Sequence, residues 1–134
     1  MGVLELFGRR RASGPQPPVE VVVGGVYSVA RAQGTYGVVR VLAFESESDV
    51  VWARTYDLRS SSRPQARDFD FDSRDGDSLV ENLPWGIGAL PVSQRLFAYW
   101  RPQLMFVSGI TARESKDVAP YIGEAQPWNE LRYP

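Results

Sequence analysis

Residues 25–57, GVYSVARAQGTYGVVRVLAFESESDVVWARTYD, decide the fold. Val26–Arg31 and Tyr36–Glu45 carry alternating, often β-branched apolar residues, and the Ala32–Thr35 turn around Gly34 separates them. A polar turn at Ser46–Asp49 then leads into a third such run, Val50–Asp57. Helix is disfavoured because β-branched side chains lose rotamer freedom against a preceding helical turn, and because the apolar positions repeat every second residue. Three short strands joined by tight turns make an antiparallel meander. The expected fold is mainly β: a small bent antiparallel sheet or half-open barrel, with one or two short helices in the C-terminal half.

Successive strand residues point to opposite faces, so the meander sorts its side chains. Val39, Val41, Ala43, Val51, Ala53 and Thr55 share one compact face, which is the expected core. The other face carries Tyr36, Arg40, Trp52, Arg54 and Tyr56, with Tyr27 and Arg31 available from the first strand. Rings supply stacking area and guanidinium groups supply directional hydrogen bonds, so these five residues are the candidate partner-binding surface. Val38, Leu42 and Phe44 fall in the same phase, which gives that face an apolar component and leaves open that a C-terminal element covers it.

On the N-terminal side, Val19–Val23 is a β-branched run ending at Gly24-Gly25. Before it, residues 1–18 read as a flexible arm rich in proline and arginine, which leaves 19–134 as a single β-rich domain. Downstream, Asp57–Arg67 is polar loop, and Asp68-Phe69-Asp70-Phe71-Asp72 alternates as a solvated edge strand would. Asp68, Asp70 and Asp72 are the candidate metal ligands. The spacing departs from a calcium loop, because Ser73 replaces the required glycine and Leu79 the bidentate glutamate, so no metal is expected. Leu83–Gly88 reads as a glycine-flexed strand or turn; it lacks the Gly-Lys-Ser/Thr sequence of a phosphate loop. Ser93 caps a short helix through Trp100, stopped by Pro102, and Leu104–Val107 forms another strand. Thr111-Ala112-Arg113-Glu114 is a capping box that opens a helix limited by Pro120, and Trp128 and Tyr133 are expected to pack back on the sheet.

The 134 residues suit one domain with a core; 43% are hydrophobic and 12% aromatic, the composition of a globular chain. Cys and His both number 0, so thiolate nucleophiles, imidazole bases and the nitrogen or sulfur ligands of zinc are absent. No cofactor is expected. The apolar Met1–Leu6 stretch precedes Arg9–Arg11, the reverse of a secretory signal, and no apolar run approaches the roughly 20 residues of a membrane span. A cytoplasmic location without membrane attachment is expected. A net charge of −1 argues against a domain that binds mainly by neutralising phosphates.

Gly25-Val26-Tyr27-Ser28-Val29 and Gly34-Thr35-Tyr36-Gly37-Val38-Val39-Arg40-Val41-Leu42 resemble the opening strands of small bacterial immunity proteins of the twenty-sixth family from polymorphic toxin systems, and more loosely Tudor-type small barrels. That resemblance implies a cytoplasmic protein without catalysis that masks a protein surface. The expected function is therefore a non-catalytic protein-binding module, with a protein as partner and the oligomeric state left open. One alternative is a carboxylate-dependent enzyme on a sugar-like substrate, using Asp70 and Asp72 or Glu45 and Glu47. Another is a weak single-stranded nucleic-acid binder, for which the aromatic-arginine face fits and the acidic balance does not.

Overall fold

A computed structural model describes residues 19–56, 58–68 and 89–134. The readings of residues 1–18, of Asp70 and Asp72, and of Leu83–Gly88 lie outside the described residues. Five antiparallel strands, β1 (Gly25–Ala30), β2 (Tyr36–Glu45), β3 (Val50–Thr55), β4 (Ala89–Val92) and β5 (Gln103–Val107), form one open sheet in the order β4-β3-β2-β1-β5. Among the described residues of the C-terminal half, two short helices follow, α1 (Gln94–Tyr99) and α2 (Ala112–Val118). The fold is mainly β, as the alternation in residues 25–57 dictates. Among the described residues no helix is long and apolar enough to cross a membrane.

The β1–β2 connection is a tight turn in which Gln33 (φ 62) and Gly34 (φ 73) are both left-handed, the pattern of a type I′ hairpin turn. Glycine meets this requirement freely and glutamine does not. Replacing Gln33 by Asn, the residue this turn type favours, is expected to stabilise the protein by roughly 0.5–1 kcal/mol. An unchanged or lowered urea midpoint would show that the turn does not strain the glutamine backbone.

One face of the sheet packs against α1. Tyr27, Val29, Val39, Val41, Val51, Ala53, Leu90 and Val92 meet Leu96, Phe97 and Trp100 there. Burial of these side chains is the main stabilising term, at about 25 cal/mol per Å² of apolar surface removed from water. Ring geometry adds directionality: Phe97 lies edge-on to Tyr27 at 5.2 Å and to Trp100 at 6.2 Å. The helix is only six residues long, so its start is fixed by specific acceptors. Ser93 accepts from the Leu96 N–H at 3.0 Å, and Asp49 Oδ1 accepts from the Gln94 N–H at 3.0 Å.

Val19–Val23 is not a strand. It lies over the α1 face, with Val19 and Val21 against the core, and the Tyr27 hydroxyl holds it by accepting from the Val22 N–H (2.9 Å) and donating to the Glu20 carbonyl (2.8 Å). Burial raises the Tyr27 pKa above the ordinary tyrosine value, so the phenol stays a donor at all physiological pH.

The second face lies beneath α2. Leu42, Val50, Trp52 and Ala89 pack with Val118 and Ala125, while Val26, Val38 and Tyr56 form a neighbouring cluster with Leu58, Met105 and Phe106. Pairing slips at Leu42, since Val41 faces Ala53 but Ala43 faces Trp52. This β-bulge moves Ala43 onto the α2 face and Phe44 onto the α1 face, the reverse of strict alternation. Thr55, expected in the core, is buried at 2% exposure.

The two sheet edges differ. β4 is guarded by the C-terminal segment: the Trp128 N–H donates to the Pro91 carbonyl and the Ser93 N–H to the Trp128 carbonyl, both at 2.9 Å. Tyr133 stacks on Tyr99 at 5.0 Å, so both aromatic residues of the tail pack back. Among the described residues β5 pairs with β1.

Candidate functional site

The five residues expected to form an open aromatic-arginine surface do come together on one face, and α2 with its flanking segments covers most of it. Arg40 and Trp52 are 0% exposed and Tyr56 is 3% exposed. Tyr36 and Arg54 are half-buried. The expectation of an accessible platform at Arg40, Trp52 and Tyr56 is thus corrected. The apolar residues in the same phase, Val38 and Leu42, require cover, and Val118, Ala125, Met105 and Phe106 supply it.

Arg40 is tolerated at the centre because every part of its guanidinium meets an acceptor. Its Nε donates to Glu114 Oε2 (2.9 Å) and its Nη2 to Glu114 Oε1 (3.1 Å), a two-pronged pair. Nη1 donates to the Gly24 carbonyl (3.1 Å) and Nη2 also to the Gly109 carbonyl (3.0 Å). Gly24 is required at this junction: its φ is +86°, and a Cβ there would lie 2.5 Å from the Ser108 carbonyl oxygen.

Glu114 is the N3 residue of α2 and does double duty. Its carboxylate accepts from the Thr111 N–H (3.0 Å) while the Thr111 hydroxyl accepts from the Glu114 N–H (3.1 Å), the capping box foreseen in the sequence. Arg54 approaches the same carboxylate at 3.7 Å and Asp117 at 3.8 Å. Burial pushes the Glu114 carboxyl upward, and the Arg40 guanidinium together with the Thr111 donors outweighs it, holding its pKa below the usual glutamate value. Tyr56 is pushed up by burial, against the nearby Arg54 and Arg40 charges. The chemistry of this face is structural. Its acid is locked to a cation and shaped to clamp α2 to the sheet.

Glu45 is held in a similar way. It accepts from Trp52 Nε1 at 2.9 Å and from the Gly123 N–H at 2.7 Å, which ties the segment after α2 to the end of β2. Asp68 closes a short turn by accepting from the Gln65 N–H at 3.1 Å. Among the described residues no group of acids could hold a metal ion.

Accessible aliphatic residues lie at the β5 side of the sheet. Leu104 is 46% and Val107 is 56% exposed, and Val23 beside them is 48% exposed. Gly24 and Gly25 carry no side chains, so Val107 and Leu104 lie over them: ideal Cβ positions there would sit 3.6 Å and 3.1 Å from Val107 Cγ1 and Leu104 Cδ1. These exposed aliphatic side chains lie next to the β5 end of the sheet. Beside it runs an open groove of about 290 Å³, whose lining includes Ser28, Arg63, Gln65, Gln103 and Leu104. Arg63 also lies over the ring of Tyr36, 4.8 Å from its centre.

Sequence reasoning found Glu114 only as a helix cap and Leu104–Val107 only as a strand. The uncharged run Gln103–Val107 was the available signal, since edge strands ordinarily carry a charge or proline within them. The described residues define a small open antiparallel sheet with a helix on each face. No family model, no curated protein and no solved structure matches the chain.

Proposed function

We propose that the protein is a non-catalytic protein-binding module acting in the cytoplasm, which masks a partner surface in the manner of the immunity proteins that residues 25–57 resemble. The observation that carries this reading is the exposure of Val23, Leu104 and Val107 beside β5. Exposed aliphatic residues grouped next to a strand edge mark surfaces that gain by pairing with an extended segment of another protein. The absence of His and Cys from the chain, and the engagement of Glu45 and Glu114 in structural bonds, weigh against the carboxylate-enzyme alternative.

The test compares the wild-type chain with a Leu104→Ser, Val107→Ser double variant, using a photo-crosslinker placed at Gln103 in the native cell extract. Both replaced side chains are already about half exposed, so the variant should melt within a few degrees of wild type. The expected result is a discrete partner whose crosslink maps to β5 and whose retention falls at least about tenfold in the variant. Equal retention by both proteins would remove the β5 surface from the reading.

A further inference from the structure

Among the described residues Arg63 is a cation bonded to neutral groups. Its Nη1 donates to the Ser28 carbonyl (3.1 Å), the Ser28 hydroxyl (3.0 Å) and the Arg101 carbonyl (3.1 Å), all neutral acceptors. Among the described residues no carboxylate forms an ion pair with it, in contrast to Arg40, Arg54 and Arg67. Its bonds run through Nη1, so the Nε and Nη2 donors of the fork carry none among the described residues. Burial, with the neighbouring Arg101 charge, holds its pKa below the ordinary arginine value, and Tyr36 acts the other way. A fixed, partly desolvated guanidinium with unused donors is the group that binds a planar carboxylate in two-pronged fashion.

Three further facts place that anion. Arg63 lines the open groove together with Gln103 and Leu104, so the charge and the β5 edge share one cleft. Exposed Arg67 and Arg101 flank it, and the nearby Asp68 carboxylate is already engaged by the Gln65 N–H and Arg67. Gln103 pairs with Ser28 and Leu104 with Tyr27 of β1, Met105 is the extra residue where the register shifts, and among the described residues no further strand pairs on their other side. An extended segment added there would send alternate side chains to the two faces of the sheet. One set would meet Leu104 and Val107, and the other would enter the cleft at Arg63.

We propose that the Arg63 cleft binds an acidic side chain of an extended partner segment that pairs along Gln103–Met105 of β5 and sets its aliphatic residues against Leu104 and Val107. The proposal rests on the reading of β5 as the contact surface and specifies its partner: an alternating acidic and aliphatic stretch of protein chain. Arg63 is the anchor, and Arg67 and Arg101 supply attraction at longer range.

The experiment titrates the isotope-labelled 134-residue chain with acetyl-Val-Glu-Val-Glu-Val-amide and with its glutamine counterpart, following backbone and arginine side-chain signals by NMR. The expected result is a shift of the Gln103–Met105 amides and the Arg63 Nε–H, at least about tenfold tighter for the acidic peptide. That preference should shrink as sodium chloride is raised to about 0.5 M. Arg63→Met should equalise the two peptides while Arg67→Ala keeps most of the preference. Should Arg63→Met lose its fold, Arg63→Lys keeps the charge without the fork and must still weaken the acidic peptide. Equal binding of both peptides at β5 would overturn the carboxylate assignment and leave β5 as a contact edge. Failure of either peptide to shift β5 would overturn both readings. Binding of oligothymidine at Arg63 in preference to the acidic peptide would assign the cleft to phosphate and overturn the proposal.

Discussion

Glu114→Gln is expected to be among the most destabilising single substitutions in the chain, at about 3 kcal/mol, because it takes the Glu114 carboxylate away from the buried Arg40 guanidinium. Glutamine keeps one acceptor for Arg40 or for the Thr111 N–H, which places the loss toward the lower end of what breaking a buried pair costs. The melting temperature should fall by roughly 10 °C. Replacing both partners by apolar residues of similar volume, Arg40→Met with Glu114→Leu, should recover much of that loss, since the pair must first be stripped of water before it attracts. A cycle in which the double variant is worse than the sum of the singles would contradict this account.

The same pair sets a pH signature. The folded pKa of Glu114 is depressed relative to the unfolded chain, so its contribution is fully present above the unfolded glutamate value of about 4.3 and is lost as pH falls through the folded value. Wild-type stability attributable to this group should therefore be flat from neutral pH to about pH 5 and decline below about pH 4. In Glu114→Gln that part of the acid decline should be missing, so the two stability curves converge in acid. Parallel curves down to pH 2 in chemical denaturation, about that low, would show that Glu114 is not the group being titrated.

The sheet, the Ser93 and Thr111 caps and the returning tail were legible because each is written locally. Alternation sets strands, and a hydroxyl three residues before an orphan N–H sets a helix start. What escaped was written across distance. Arg40 and Glu114 are 74 residues apart, and no spacing rule joins a mid-strand arginine to a helix cap. The bulge at Leu42 reversed the faces of Ala43 and Phe44, and nothing in a run of apolar residues marks where pairing slips. β4 was not read from the sequence; its Pro91 stands at the sheet edge, where its carbonyl serves the Trp128 N–H. Arg63 acquires meaning only from the Ser28, Tyr36 and Arg101 groups that three separate stretches bring around it.

Trp52 separates most sharply a residue that recognises a partner from one that holds the fold, because the two roles predict opposite outcomes for Trp52→Ala. A surface anchor would lose binding and leave stability nearly unchanged. Trp52 is 0% exposed, packs with Leu42, Val50, Ala89, Val118 and Ala125, and lies 6.1 Å from the Tyr121 ring. Truncation should therefore cost about 3–5 kcal/mol, the sum of lost transfer energy and a cavity that the sheet can only partly close. It would also remove the Nε1–H that Glu45 accepts, loosening the tie between β2 and Gly123. Trp52→Phe keeps most of the ring area and loses the indole donor, so it should cost clearly less than the alanine variant and retain partner capture at β5. Denaturation midpoints of the two variants, read beside the crosslinking yield at Gln103, decide the matter. A Trp52→Ala protein as stable as wild type but unable to capture its partner would return this face to the role its sequence suggested.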